Sequence, residues 1–223
     1  EERILLEHKT AGLISFEDLL DIENGKLEKL WKEISRDKIE IIGSLGSGAF
    51  GEVKKGRLEL VKDEFELCAV KMLKSHATQT ELSDLANELN IMANVGEHPN
   101  IISLIGACSI EGPLWVVLKL AENGSLLEYL ESLRVGNVSY ENVTKTTTAT
   151  NLSYVEKLLF AHGIAEGMKH LADKKCIHRD LAARNVLLGK NNKPMISDFG
   201  MSRDVYESGQ YEKTTRLRPS EKA

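Results

Sequence analysis

The sequence predicts an α+β fold in two parts, an antiparallel sheet carrying one helix followed by a mainly helical half. Three observations predict it. Runs with strand character, KIEIIGSL, GEVKKGRLEL and ELCAVKML, follow one another from Lys38 around a glycine turn. A single helical pattern separates them from two further apolar runs, NIISLIGACSI and GPLWVVLKLA. A long helical pattern then opens behind Ser153.

Composition limits the alternatives. The 223 residues allow one large domain or two small ones. Lys+Arg 29 against Asp+Glu 34 leaves a net charge of −5, which argues against nucleic acid as the main partner, since that needs a basic surface. Cys68, Cys108 and Cys176 are far apart, odd in number and set in apolar runs. They read as buried free thiols of a reducing compartment and lack the paired spacing of a zinc site. No apolar run reaches the ~18 residues of a transmembrane helix. There is no starting Met and no signal peptide, so the sequence reads as a piece of a longer protein.

Each element has a local reason. Residues 1–34 are charged and mixed, with only a hint of short helical turns in SFEDLLDIENGKLEKLW. Thr78-x-x-Glu81 is a capping box, with Leu82, Leu85, Leu89 and Met92 at helical spacing behind it. SLLEYLESL predicts a short amphipathic helix, and the polar, Thr-rich residues 134–152 read as a surface insertion. Ser153-x-x-Glu156 is a second capping box, opening a helix to about Ala172. Along residues 158–172, Phe160, Ala161, Ile164, Ala165, Met168 and Leu171 occupy an arc of roughly 180°, wider than the ~100° of a surface helix, so neighbours are expected on more than one side. NVLLG and KPMISDF predict a hairpin pair.

Four constellations carry chemistry. LGSGAFGEV places Gly46, Gly48, Gly51 and Val53 between two strands, whereas a dinucleotide-binding loop leads into a helix. Such a loop can bring backbone N–H groups onto phosphate oxygens, and an ordinary hairpin turn accounts for it equally well. Lys71 ends a buried strand and needs a partner, and Glu88 lies on the apolar face of the following helix. Together they read as a pair across the sheet–helix interface. HRDLAARN puts Asp180 and Asn185 in a loop between a helix and a strand, and Asp198 follows a strand ahead of Phe199 and Gly200. Asp and Asn oxygens suit Mg²⁺, and Asp180 suits the acceptance of a proton from an attacking hydroxyl. Each acid alone is explained as a loop or cap residue; the ordered set is not.

In that order the glycine loop, strand Lys, helix Glu, H-R-D-L-x-x-x-N and D-F-G resemble the protein kinase pattern over residues 36–215. Ala182 and Arg184 stand where the tyrosine version of the catalytic loop differs from the serine/threonine version. NIISLIGACS, the insertion and RDVYESGQYEKTT resemble the fibroblast, platelet-derived and vascular endothelial growth factor receptor kinases. WKEISRDKIEI resembles the segment those receptors carry just inside the membrane, which makes residues 1–35 juxtamembrane-like, 36–121 an N-lobe with hinge and 122–215 a partial C-lobe.

The resemblance implies an ATP-dependent, Mg²⁺-dependent tyrosine kinase acting on protein substrates, cytoplasmic, from a membrane receptor that dimerises. It implies that backbone amides of Gly46, Ser47, Gly48, Ala49, Phe50 and Gly51 cover the ATP phosphates, and that Lys71 holds them while paired with Glu88. Leu45, Val53, Ala69 and Leu187 sandwich the adenine, Leu118 guards the back pocket, and Lys119 C=O and Ala121 N–H bind the adenine edge. Asn185 and Asp198 take the metal, Asp180 orients the tyrosine hydroxyl and Arg184 neutralises the moving phosphoryl. Phe199, His178 and Met92 stack between the lobes. Tyr206 and Tyr211 are phosphorylation sites whose phosphate, about −1.5 to −2 in charge, would meet Arg179. Lys119 replaces the family's usual Glu through a backbone contact, so nucleotide binding is expected to survive. RLRPSEKA, residues 216–223, does not match the family, and the expected docking segment and large helices do not follow it. The chain is therefore expected to be weakly active or inactive, with an ATP-binding decoy as the alternative. A serine/threonine kinase is disfavoured by Ala182 and Arg184, and a dehydrogenase by the strand after the glycines.

Overall fold

The structure, a computed structural model, describes residues 30–47, 51–61, 64–110, 112–135, 152–200 and 203–204. Five strands form one antiparallel sheet: β1 (Ile39–Ser47), β2 (Gly51–Val61), β3 (Glu64–Leu73), β4 (Leu104–Cys108) and β5 (Trp115–Lys119), in the order β1-β2-β3-β5-β4. β3 is central, and its middle residues, Cys68, Ala69 and Val70, are buried. Its period-2 alternation turns Cys68 and Val70 toward a core with Ile34, Ile39 and Leu58. The same alternation leaves Ala69 and Lys71 facing the opposite side, the cleft.

Helix α1 (Gln79–Val95) packs on that side of the sheet. Its start follows the sequence reading: the Thr78 hydroxyl accepts from Glu81 N–H at 3.3 Å, and the Glu81 carboxylate accepts from Thr78 N–H at 2.5 Å. Its inward stripe, Leu85, Ala86, Leu89, Met92 and Val95, is buried. Leu85, Ala86 and Leu89 share a core with Trp31, Ala107, Leu114 and Val116. Trp31 belongs to a stretch without periodicity, and it is ordered by a backbone bridge to the sheet edge. Ile34 N–H donates to Ala107 O at 2.8 Å and Ala107 N–H to Lys32 O at 3.0 Å. The Glu33 carboxylate accepts from Ser109 N–H at 2.8 Å and Ser109 Oγ–H at 2.6 Å.

The second half holds α2 (Leu126–Val135), α3 (Tyr154–Asp173) and the short strands β6 (Cys176–Ile177), β7 (Val186–Leu188), β8 (Pro194–Ile196) and β9 (Arg203–Asp204). β7 and β8 make the expected antiparallel pair, and β6 pairs with β9. Ser153 and Glu156 form their capping box. α2 has a third such box that the sequence reading passed over, with Ser125 N–H donating to Glu128 at 2.9 Å and Glu128 N–H to Ser125 Oγ at 3.1 Å. α2 runs two residues into the stretch read as an insertion, and Leu152 at its far end packs beside Phe160 and Leu126. The rest of that insertion, residues 1–29 and residues 205–223 lie outside the described residues.

The buried stripe of α3 is Phe160, Gly163, Gly167 and Leu171. This corrects the sequence arc, because Ala161 and Ala165 are exposed. Two glycines in a helix cost about 1 kcal/mol each, and close approach is the reason they are here. A Cβ on Gly163 would lie 2.6 Å from Pro194 Cγ, and one on Gly167 2.6 Å from Asn100 O. The glycine face therefore receives β8 and the loop after α1. Asn100 Nδ2 donates to Pro194 O at 2.8 Å, Ile196 N–H to Asn100 O at 2.9 Å and Ile102 N–H to Ile196 O at 2.9 Å. Met92, Val95, Ile101 and Ile102 from the first half share one buried cluster with Leu171, Cys176, Ile196 and Phe199 from the second. The halves are thus two lobes joined by a continuous core, with a cleft between them.

Candidate active site

The cleft is about 790 Å³, inside the ~300–1,000 Å³ range of small-molecule sites. β3 supplies Ala69 and Lys71 from one lobe, and the segment between β6 and β7 supplies Asp180 and Asn185 from the other. Lys71 Nζ donates to both carboxylate oxygens of Glu88, each at 2.6 Å. It also reaches Asp198 Oδ1 at 3.5 Å, from the other lobe. Glu88 is only 5% exposed, which is tolerable for a carboxylate because the pair is bidentate. Burial pulls the Lys71 ammonium down, but Glu88 and Asp198 more than reverse this, so its pKa stands above the ordinary value and it remains a cation. Burial pushes Glu88 up, against the pull of Lys71.

Asp180 sits in a local network. Arg184 Nη2 donates to its Oδ1 at 2.6 Å, and Asn185 Nδ2 donates to its Oδ2 at 2.9 Å and its backbone O at 2.8 Å. A 3₁₀ turn over Ala183–Asn185 brings the three together. Backbone strain marks the same region. Arg179 has φ +67° and Asp198 φ +61°, left-handed values that non-glycine residues adopt at a cost. His178 is buried and its Nε2–H donates to Ser197 O at 2.9 Å. Its ring lies 5.4 Å from that of Phe199, which shares a core with Met92.

The donor set suits a hard cation. Asn185 spends its amide nitrogen on Asp180, which leaves its amide oxygen as the end able to ligate. The Asp198 carboxylate is half-exposed at the cleft, with only weak contacts on Oδ1 from Lys71 at 3.5 Å and Gly200 N–H at 3.4 Å. Two oxygen ligands, with water and phosphate completing the shell, fit Mg²⁺, which rarely takes an all-protein cage.

Leu45, Gly46, Gly51, Val53, Leu118, Lys119, Ala121 and Leu187 also line the cleft. Leu45 is at its rim, about half exposed, while Leu118 is part of both cores flanking it. Ser47 ends β1 opposite Glu52. Gly48, Ala49, Phe50, Tyr206 and Tyr211 lie outside the described residues. The sequence reading missed Asn100, Gly163 and Gly167, which fix the two lobes against each other. The HPN tripeptide and glycines four apart in a capped helix were the available signals.

Comparison with known proteins identifies the family. Residues 39–221 match the family described as protein tyrosine and serine/threonine kinase. The chain is similar to fibroblast growth factor receptor 1 of Pleurodeles waltl, 43% identical over 190 residues, 83% of this chain. It spans 23% of that relative's length. No described helix is long and apolar enough to cross a membrane.

Proposed function

The chain belongs to the protein tyrosine and serine/threonine kinase family, and we propose that it carries the site for transfer of the ATP γ-phosphoryl group to a protein tyrosine, as a cytoplasmic segment of a dimerising membrane receptor. The observation that carries the reading is the convergence of Lys71, Glu88, Asp180, Asn185 and Asp198 on one cleft. Tyrosine is favoured over serine by Ala182 and by Arg184, whose guanidinium lies 2.6 Å from the Asp180 carboxylate.

Each side chain has a task. Lys71 neutralises the α- and β-phosphates, and Glu88 holds its ammonium in place. Leu45, Val53, Ala69 and Leu187 enclose the adenine, whose edge meets the Lys119 carbonyl and Ala121 N–H. Asn185 and Asp198 would hold Mg²⁺, which when bound offsets phosphate charge. The tyrosine oxygen bonds to the γ-phosphorus as the bond to the β-bridging oxygen breaks, ADP leaves, and the phenolic proton passes to Asp180. Asp180 must first exchange the Arg184 contact for the phenol, which frees Arg184 for the moving phosphoryl. Tyr206 and Tyr211, which lie outside the described residues, are proposed as modification sites.

A second reading, nucleotide binding without transfer, is favoured by the state of Asp180, whose carboxylate oxygens already accept from Arg184 at 2.6 Å and from Asn185 at 2.9 Å. The test gives the purified chain MgATP with tyrosine and serine peptides. Turnover within the ~1–100 s⁻¹ family range on the tyrosine peptide supports the first reading. Tight MgATP binding with no transfer to either peptide supports the second. Absence of MgATP binding overturns both.

A further inference from the structure

The joint between the lobes contains two histidines that the proposed chemistry does not use. His98 lies in the loop after α1, and His170 lies near the end of α3. Their rings stack at 4.7 Å between centroids and 23° between planes. His170 Nε2–H donates to Val95 O at 2.9 Å, and Val95 is the last residue of α1. The second lobe therefore caps a carbonyl at the C-terminal end of the helix that carries Glu88, a group helices often leave to water. On the other side, Asn100 N–H donates to His98 Nδ1 at 3.1 Å. Asn100 is the residue seated on the α3 glycines and tied to β8.

We propose that His170 is a positioning residue which, stacked on His98, clamps the end of α1 to the second lobe, and that the clamp loosens when His98 becomes charged. The tautomer follows from the bonds. Because Nδ1 of His98 accepts the Asn100 N–H, its own proton is on Nε2. A second proton must go to Nδ1, where it turns an acceptor into a donor facing another donor. The Asn100 bond is then lost, and a cation stands against the His170 ring.

The surroundings act, on balance, in the same direction. Burial holds His98 below the ordinary histidine value, His170 adds to this, Glu166 opposes it, and Lys193 and Lys169 reinforce it. With the folded pKa below the unfolded value of about 6.5, the penalty is absent above that pH. It accumulates as pH falls from there through the folded midpoint. This inference goes beyond the proposed reaction and does not require it.

The test combines a histidine NMR titration with amide exchange on the whole chain. His98 is expected to titrate below 6.5, and exchange at Val95, Gly96 and Asn100, corrected for intrinsic rates, is expected to quicken at least tenfold between pH 7.5 and pH 5.5. His98→Asn keeps an acceptor for the Asn100 N–H without a titrating ring and should abolish that pH dependence. His170→Gln keeps a donor for Val95 O and should move the His98 midpoint toward the ordinary value. A wild-type His98 midpoint at or above 6.5, or protection at Asn100 that does not change across its titration, overturns the proposal whatever the variants do.

Discussion

Replacing both members of the Lys71–Glu88 pair should cost far less than replacing either one. The side chains are 25% and 6% exposed, and the ammonium lies 2.6 Å from both carboxylate oxygens. Lys71→Met leaves a buried carboxylate with no cation, which costs about 3–5 kcal/mol at neutral pH. Glu88→Leu leaves Lys71 with partial solvent access and Asp198 at 3.5 Å, so the expected loss is smaller, roughly 1.5–3 kcal/mol. The double variant removes both charges from an apolar helix–sheet interface and should fall within about 1 kcal/mol of the parent. The coupling is then several kcal/mol, read from urea unfolding of the four proteins. The single Lys71→Met variant carries a further signature. Burial holds the Glu88 pKa above its unfolded value, so the destabilisation grows as pH rises from the unfolded carboxylate range through the folded pKa. That variant should therefore recover stability on acidification toward pH 5, and the double variant should not. Additivity within about 0.5 kcal/mol would refute the account, because two side chains that do not share an interaction add.

Asp180→Asn should lower transfer to tyrosine by about 10²–10⁴-fold while MgATP affinity measured by calorimetry is unchanged, because the proton acceptor is lost and the nucleotide contacts are not. Trp31→Ala should cost about 3–5 kcal/mol in thermal or denaturant unfolding, since the ring is 8% exposed in the core shared with Leu85 and Leu89. Cys68 and Cys108 have their thiols pushed up to about 11 by burial, so a thiol-reactive disulfide at pH 8 should label them only as the chain unfolds.

β1 to β5, the β7–β8 pair and the three helices were legible because each is written within its own residues, whereas the short β6–β9 pair was not predicted. Alternation in ELCAVKML and a box such as Thr78-x-x-Glu81 are local signals, and the structure has β3 and α1 there. The Lys71–Glu88 pair could be reasoned as well, since a cation ending a buried strand and an acid on an apolar helix face each lack a partner otherwise. Residues 31–34 were not legible. Their order comes from Ala107 and Ser109, far along the chain, and one backbone bridge leaves no periodicity. Gly163 and Gly167 were hidden for a related reason: propensity counts glycine against a helix, and only the backbone of Asn100 lying against it explains why the cost is accepted. Left-handed Arg179 had no signal at all, since arginine has no preference for that conformation.

These non-local contacts bear on the cleft through α1. A hydrogen bond of 2.6 Å is lost once the partners separate beyond about 3.5 Å, so the Lys71–Glu88 pair tolerates a displacement of only about 1 Å. Neither Lys71 nor Glu88 can enforce that tolerance, because a side-chain pair holds a helix at one point and leaves it free to pivot. Trp31 packs beside Leu85 and Leu89, on either side of Glu88 in sequence, and His170 takes the carbonyl of Val95 at the helix end. The helix is thus fixed along its length from the sheet edge and at its end from the other lobe. Geometry in the cleft is set by residues that do not line it, so substitutions at Trp31 or His170 should alter the Lys71–Glu88 distance before they alter any nucleotide contact.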